Sequence, residues 1–107
     1  MARSEGTAIM SESTVATHIV LLRAIEANSP HVGERLLAML PALRTAQGCV
    51  SYSATASLEK PGEWVVCGVW SSAAAMRAHF ESSQIQEMFQ LLDCRWAHSL
   101  QCQCFAA

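Results

Sequence analysis

The stretch GCVSYSATASLEKPGEWVVCGVWSSAAAMRAHF, residues 48–80, carries the clearest structural signals in the chain. Residues 49–58 alternate between two side-chain sets, which is typical of a strand with two different faces. Pro61 and Gly62 then form a turn signal. The apolar run Trp64–Trp70 predicts a strand that returns antiparallel to the one before it. We therefore expect a hairpin over this stretch, with a helix after it.

The expected helix covers Ala73–Phe80, because its alanines have high helical propensity and Ser71 or Ser72 can cap its free amides. The pair Ser82-Ser83 predicts a break. A further helical piece begins near Gln84, where apolar residues recur at the spacing of one buried stripe: Ile85, Met88, Phe89 and Leu92.

Outward from this stretch, the branched apolar run Thr17–Glu26 predicts a buried strand, with His18 on the face of Val20. Ser29-Pro30 is a helix start signal. Pro41 should kink that helix or end it early. Its apolar stripe is Val32, Leu36, Met39, Leu40 and Leu43. At the other end of the chain, the alternation from Cys94 to Phe105 predicts a last strand.

The predicted order of strand, helix, strand, strand, helix, strand indicates an α+β fold of the ferredoxin-like type, with a four-stranded antiparallel sheet. We expect one domain over residues 17–107, after a flexible N-terminal arm over residues 1–16. Hydrophobic residues make up 51% of the 107 residues and charged residues 15%. Because helices can cover only one face of the sheet, this composition favours a homodimer whose two sheets enclose a barrel.

Charge and cysteine content exclude several classes of function. The net charge is -2 and the seven Lys and Arg residues are scattered, which argues against nucleic acid as a partner. No apolar run approaches the roughly 18 to 20 residues of a membrane helix, so no membrane association is expected. The chain begins without the apolar segment of a signal peptide, which favours the cytoplasm. Five cysteines without paired spacing predict neither a metal site nor disulfides.

Four of these signals, in order, are Gly48-Cys49 leading to Tyr52, the Pro61-Gly62 turn, Trp70 at a strand end, and His79. In this arrangement the chain resembles the antibiotic biosynthesis monooxygenase family of dimeric α/β barrels, from about residue 17 to the end. The resemblance implies a homodimer and, for some members, oxidation of aromatic polyketides by molecular oxygen without metal or flavin. Other members degrade haem or process small signalling molecules.

The resemblance also implies the site residues. Trp70 would donate through its indole nitrogen, Tyr52 would donate or accept, and His79 would act as a base near neutral pH. Arg23 would orient an anion, and His98 is a further candidate for substrate binding. No cofactor is expected.

Structural explanations compete with each of these roles. Trp70 also suits a core or interface anchor, His79 also suits packing of its short helix, and for Tyr52 a core position is favoured. The face carrying Cys49, Ser51, Ser53 and Thr55 would bind water or substrate, or would simply face solvent. His18 and His31 are expected at the surface or at a pocket entrance.

The sequence thus leads to one main functional hypothesis and two alternatives. The main hypothesis is a cofactor-independent monooxygenase acting on a small aromatic or quinol-like compound. The first alternative is a non-catalytic dimeric module that binds a small hydrophobic ligand. The second is haem binding through His79. Haem-degrading relatives typically carry an asparagine in the first strand, whereas the only asparagine of this chain, Asn28, lies in the loop beyond that strand, which weakens the haem hypothesis.

Overall fold

The computed structural model describes residues 15–25, 29–94 and 97–107. The elements follow the order β1 (Ala16–Ala24), α1 (Ser29–Leu43), β2 (Cys49–Ala56), β3 (Glu63–Trp70), α2 (Ala73–Phe80), α3 (Ser83–Cys94) and β4 (Ala97–Ala106). Nearly all of the predicted N-terminal arm lies outside the described residues. Within the described ranges, no helix has both the length and the apolar character needed to cross a membrane.

The four strands form one antiparallel sheet in the order β2-β3-β1-β4. This arrangement confirms the α+β, ferredoxin-like prediction. The hairpin between β2 and β3 turns at Gly62, whose φ of 86° lies in the left-handed region that favours glycine. The Gly62 carbonyl also accepts a hydrogen bond of 2.7 Å from the Ala24 amide, which ties the hairpin to the end of β1.

The helices cover one face of the sheet and pack on it through residues of their predicted apolar stripes. On β1, every second residue from Ala16 to Ala24 is buried. The helices contribute the buried residues Val32, Leu36, Leu40, Leu43, Ile85 and Met88. α1 continues through Pro41 and ends at Leu43, so the proline lies in the last turn of the helix.

A bulge near the start of β2 corrects the predicted strand faces. Cys49 pairs with Trp70, whereas Ser51 pairs with Val69, so Val50 is an additional residue in the ladder. Because one additional residue reverses the alternation, Cys49 lies on the helix-covered face and Val50 is 63% exposed. The predicted placement of Cys49 with Ser51, and of Val50 with Tyr52, is therefore wrong.

The opposite face of the sheet, which we call the outer face, carries a central apolar group. Ile19 and Leu21 on β1 pair with Cys67 and Val65 on β3, and these side chains are only partly buried. The described helices leave them uncovered because they pack on the other side. Phe105 on β4, which is 50% exposed, extends this apolar surface.

Gly68 in β3 leaves the space that the ring of His18 occupies. It pairs with His18 on β1 and with Tyr52 on β2, so it lies between them in the ladder. A Cβ atom added at Gly68 would clash with His18 Cε1 and would lie 2.8 Å from Nδ1 of the same ring. The strand therefore requires glycine at this position.

We expect Gly68→Ala to destabilise the protein by about 1–3 kcal/mol, because the new methyl group must displace a buried ring. Without that clash, alanine would be preferred to glycine in a strand by roughly 0.5–1 kcal/mol. Urea unfolding measures the free energy of unfolding of Gly68→Ala, His18→Ala and the double variant. In the His18→Ala background only the approach of the new Cβ atom to Trp70 Nε1, at 3.1 Å, remains, so Gly68→Ala should destabilise the protein clearly less than in the wild type. Equal destabilisation in both backgrounds would contradict this explanation.

Candidate active site

Four polar aromatic side chains meet beneath α2 at one end of the helix-covered face. They are His18 from β1, Tyr52 from β2, Trp70 from β3 and His79 from α2, and each is at most 3% exposed. The strand register brings the first two together, because both pair with Gly68. Trp70 lies on the same face as His18, since it pairs with the buried Ala16 two residues before the histidine.

Three hydrogen bonds join these side chains into one network. The Trp70 indole Nε1 donates to His18 Nδ1 over 3.0 Å. His18 Nε2 lies 3.2 Å from the Tyr52 hydroxyl oxygen. That hydroxyl also lies 2.9 Å from His79 Nε2. We call this set, Trp70, His18, Tyr52 and His79, the polar network.

The short helix α2 places His79 over the sheet. Ser72 caps this helix, because its Oγ accepts a hydrogen bond of 3.1 Å from the Ala75 amide, as predicted. The ring centroid of His79 lies 4.6 Å from that of Trp70. The next residue, Phe80, stands edge-on to His18 with a centroid distance of 5.0 Å. Aromatic carbon therefore surrounds the polar network and excludes water from much of it.

Burial keeps the polar network uncharged at neutral pH. Desolvation, together with a smaller contribution from the neighbouring His79, lowers the pKa of His18 to about 4. Desolvation also lowers the pKa of His79. The pKa of Tyr52 is raised, mainly by desolvation and additionally by the nearby thiols of Cys49, Cys102 and Cys67. Both histidines are thus neutral imidazoles and Tyr52 is a neutral phenol.

One atom of the polar network has no partner. Among the buried side-chain nitrogens and oxygens of the described residues, His79 Nδ1 alone makes no hydrogen bond. Leaving a buried polar atom unpaired costs about 1–3 kcal/mol, so such atoms are uncommon and require an explanation. His79 also lines a groove of about 240 Å³ beside α2, together with Ala46, Gln47, Ala75, Ala78, Ser82 and Gln84.

The structure brings together the three residues expected to be catalytic, Trp70, His79 and Tyr52. Three of the four candidates for substrate binding, Arg23, Ser51 and Ser53, do not join them. Arg23 lies at the far end of β1, 56% exposed, with its guanidinium 3.5 Å from the Glu63 carboxylate. Ser51 and Ser53 are exposed on the outer face. His98 lies in β4, outside the residues whose side chains are described.

His18 is the main residue that the sequence interpretation misplaced. The prediction of a surface or entrance position is wrong, since the side chain is fully buried at the centre of the polar network. The signal was its position on the same strand face as Val20 and Leu22. Gly68 was also missed, although a glycine inside a strand is a known sign of close approach. His31, by contrast, is exposed as predicted.

Solved structures share the fold at low sequence identity. A protein from Shewanella oneidensis matches with a TM-score of 0.81 and 18% identity, over 89% of this chain and 92% of that chain. A protein from Deinococcus radiodurans, provisionally named an antibiotic biosynthesis monooxygenase, matches with a TM-score of 0.74 and 22% identity, over 87% and 91%. A conserved protein of unknown function from Bacteroides thetaiotaomicron, named a possible oxidoreductase, matches with a TM-score of 0.79 and 16% identity, over 89% of this chain and 99% of that chain. These similarities establish the fold alone.

The sequence itself establishes the family. No curated protein matches the chain. The family model for antibiotic biosynthesis monooxygenases, however, matches residues 16–91, from the start of β1 into α3. This match covers most of the chain and includes every member of the polar network. The resemblance inferred from the sequence is therefore confirmed, and the chain belongs to the antibiotic biosynthesis monooxygenase family.

Proposed function

We propose that this protein is a monooxygenase that oxidises a small electron-rich aromatic or quinol-like compound with molecular oxygen, without a cofactor. The observation that carries the proposal is the uncharged polar network sealed beneath α2, with three hydrogen bonds and one unpaired nitrogen. Family membership supports the class of reaction. Perturbed titratable groups that are buried together are typical of functional sites.

The proposed reaction needs little from the protein beyond this environment. A deprotonated phenol or anthrone passes one electron to oxygen, and the resulting radical and superoxide combine to form a carbon–oxygen bond. The peroxide anion takes up a proton from solvent, and its outer oxygen then leaves as water together with the hydrogen of the oxidised carbon, which leaves a carbonyl. One oxygen atom thus enters the product and the other leaves as water. Fixed donors in a dry site stabilise the negative charge of the ionised substrate. The polar network offers such donors from Trp70, Tyr52 and the histidines.

Replacing the indole donor tests this proposal. We expect Trp70→Phe to lower kcat/KM for oxygen uptake by at least about tenfold, which corresponds to one lost hydrogen bond of ~1.4 kcal/mol. The matched control is Trp64→Phe, since Trp64 lies on the same face of the same strand but pairs with Leu22 at its other end. The control should retain activity within about twofold of the wild type. Oxygen uptake with hydroquinones and anthrones measures both variants.

Two results would count against the proposal. Absence of oxygen uptake by the wild-type protein across both compound classes would reject the monooxygenase. Equal losses in Trp70→Phe and Trp64→Phe would assign the effect to general packing rather than to the polar network.

The uncharged state of the network predicts a dependence of stability on pH. Because the pKa of His18 falls from about 6.5 in the unfolded chain to about 4 in the folded protein, the unfolded state binds more protons between these values. Stability should be highest above about pH 6.5 and should fall on acidification to about pH 4, by up to about 1.4 kcal/mol per pH unit from His18. His79, whose pKa is also lowered in the folded protein, adds to this loss of stability on acidification.

Urea unfolding at several pH values measures this slope. His18→Gln should flatten it, because the titrating group is removed. The control His31→Gln removes an exposed histidine outside the polar network, and its slope should be steeper than that of His18→Gln. Equal slopes in the wild type and His18→Gln would contradict the buried neutral histidine.

We propose further that the protein is a homodimer in which a second copy covers the outer face. The apolar side chains of Ile19, Leu21, Val65, Cys67, Val69 and Phe105 lie on this face and are only partly buried in the single chain. An apolar surface of this kind on a sheet is typical of an interface. Each subunit would keep its own polar network, since the network lies on the opposite, helix-covered face.

We expect Leu21→Asp to convert the dimer to a monomer, because a carboxylate in an apolar interface loses its hydration without gaining a partner. Leu58→Asp is the matched control, since Leu58 is fully exposed in the hairpin between β2 and β3. Sedimentation velocity should show a dimer for the wild type and Leu58→Asp, and a monomer for Leu21→Asp. A monomeric wild type would overturn the dimer while leaving the polar network intact.

One observation favours the alternative of a non-catalytic binding module. Neither histidine nor the tyrosine of the polar network has a pKa moved towards neutrality, whereas an efficient general base has a pKa near the working pH. Ligand retention without oxygen uptake would favour this alternative. Haem binding through His79 has less support, because its Nε2 is already engaged by Tyr52 and the ring is buried.

A further inference from the structure

Trp70 determines which atom donates in each hydrogen bond of the polar network. An indole nitrogen carries a hydrogen and has no lone pair to accept one, so the 3.0 Å bond to His18 Nδ1 runs in one direction only. The Nδ1 atom of His18 must then be unprotonated. A neutral imidazole carries one hydrogen, which places it on His18 Nε2. That nitrogen therefore donates to the Tyr52 oxygen, 3.2 Å away.

The hydrogen bond from His18 in turn decides how the Tyr52 hydroxyl bonds to His79. Its oxygen receives the hydrogen from His18, so its own hydroxyl hydrogen is best used towards His79 Nε2, 2.9 Å away. In the opposite assignment, both His18 Nε2 and His79 Nε2 donate to the Tyr52 oxygen. That assignment would leave two groups without partners, the Tyr52 hydroxyl hydrogen and the bare His79 Nδ1. Because each unpaired buried group is costly, the first assignment is preferred.

The hydrogen of His79 is consequently on Nδ1. This is the nitrogen that makes no hydrogen bond, on a side chain that is 3% exposed. The unpaired atom is thus an N–H donor held in a dry, aromatic environment, with the Trp70 and Phe80 rings near the imidazole at centroid distances of 4.6 and 6.0 Å. Such a donor has strong affinity for an acceptor, and most strongly for an anionic oxygen.

We propose that the Nδ1–H group of His79 binds the oxygen of an aromatic oxyanion, such as a phenolate or an enolate. This inference deepens the proposed function, on which it rests, by assigning the form in which the substrate binds. It also replaces the role of base expected for His79 from the sequence, because Nδ1 already carries a hydrogen and Nε2 is occupied. The substrate proton is released to solvent on binding, and the neighbouring rings suit a flat ligand.

The groove beside α2 is consistent with this assignment. His79 lines it together with Gln47, Ser82 and Gln84, so a polar ligand would meet hydrogen-bonding groups near the histidine. The Ser82 hydroxyl is already committed to the His79 carbonyl over 2.6 Å, which holds the end of α2 in place. Hydrogen bonds therefore hold His79 both at its backbone carbonyl and at Nε2.

The first experiment measures the tautomers by long-range proton–nitrogen NMR of the ¹⁵N-labelled protein near neutral pH. We expect the Nε2–H tautomer at His18 and the Nδ1–H tautomer at His79. In Trp70→Phe, either direction of the hydrogen bonds leaves two groups unpaired, one at each histidine Nδ1, so the Nε2–H form of His79 should appear alongside the other. Trp64→Phe, the control, should keep the wild-type tautomers. An Nε2–H form at His79 in the wild type, or wild-type tautomers in Trp70→Phe, would overturn the proposal.

The second experiment tests the ligand with 4-nitrophenol, whose phenol and phenolate forms absorb at different wavelengths. The bound probe should be the phenolate at a pH where the free probe is largely the phenol, and the His79 Nδ1–H proton signal should move downfield. His79→Phe, which keeps a ring of similar size, should abolish the shift in the probe's ionisation. An unchanged His79 signal at saturating probe, or a shift that persists in His79→Phe, would overturn the assignment of His79 as the oxyanion donor.

These results separate the inference from the proposed function. The expected tautomers and probe response, without oxygen uptake from any phenol or anthrone, would keep the oxyanion site and reject the monooxygenase. Oxygen uptake with the opposite tautomers would keep the monooxygenase and reject the oxyanion site.

Discussion

The hydrogen bond between the Trp70 indole and His18 is the interaction on which the rest of the site depends. It is possible because Gly68, opposite His18 in the ladder, carries no side chain that would fill the space of the imidazole. Since the indole can only donate, this single contact of 3.0 Å determines the tautomer of His18, then the orientation of the Tyr52 hydroxyl, and finally the tautomer of His79. One missing Cβ atom in β3 therefore controls the hydrogen positions of a residue on α2.

The polar network is an unusual feature for the core of so small a domain. Its polar atoms must leave water on folding, and only their mutual hydrogen bonds offset that loss. Apolar side chains of similar size would avoid the cost altogether, and the surrounding core of Val20, Leu22 and Met76 shows that the chain uses such residues freely. A partly satisfied network, with His79 Nδ1 left over, is less favourable still. A ligand oxygen that accepts from His79 Nδ1, as proposed, would offset part of this cost.

The sequence predicted the fold more completely than the site, for physical reasons that differ between residues. Element order and helix faces follow from local periodicity, so the sheet, the stripe of α1 and, on α3, the burial of Ile85 and Met88 were predicted correctly. Cys49 was misplaced because a bulge leaves no local signal in composition. His18 was misplaced although the alternation of β1 put it beside Val20, because a histidine's usual preference for the surface was given more weight than its position. The meeting of His18 with Tyr52 depends on strand register, which no single strand determines.

The two faces of the sheet carry different groups of residues. Every member of the polar network lies on the helix-covered side, whereas Arg23, Ser51 and Ser53 lie on the outer side. If a second copy covers the outer face, as proposed, those three residues would lie on the side of the partner rather than beside the polar network. Assembly would then stabilise the sheet that holds His18, Tyr52 and Trp70 in register, without adding a side chain to the site. Each subunit would contain a complete site, whose properties depend on the dimer only through the rigidity of the strands.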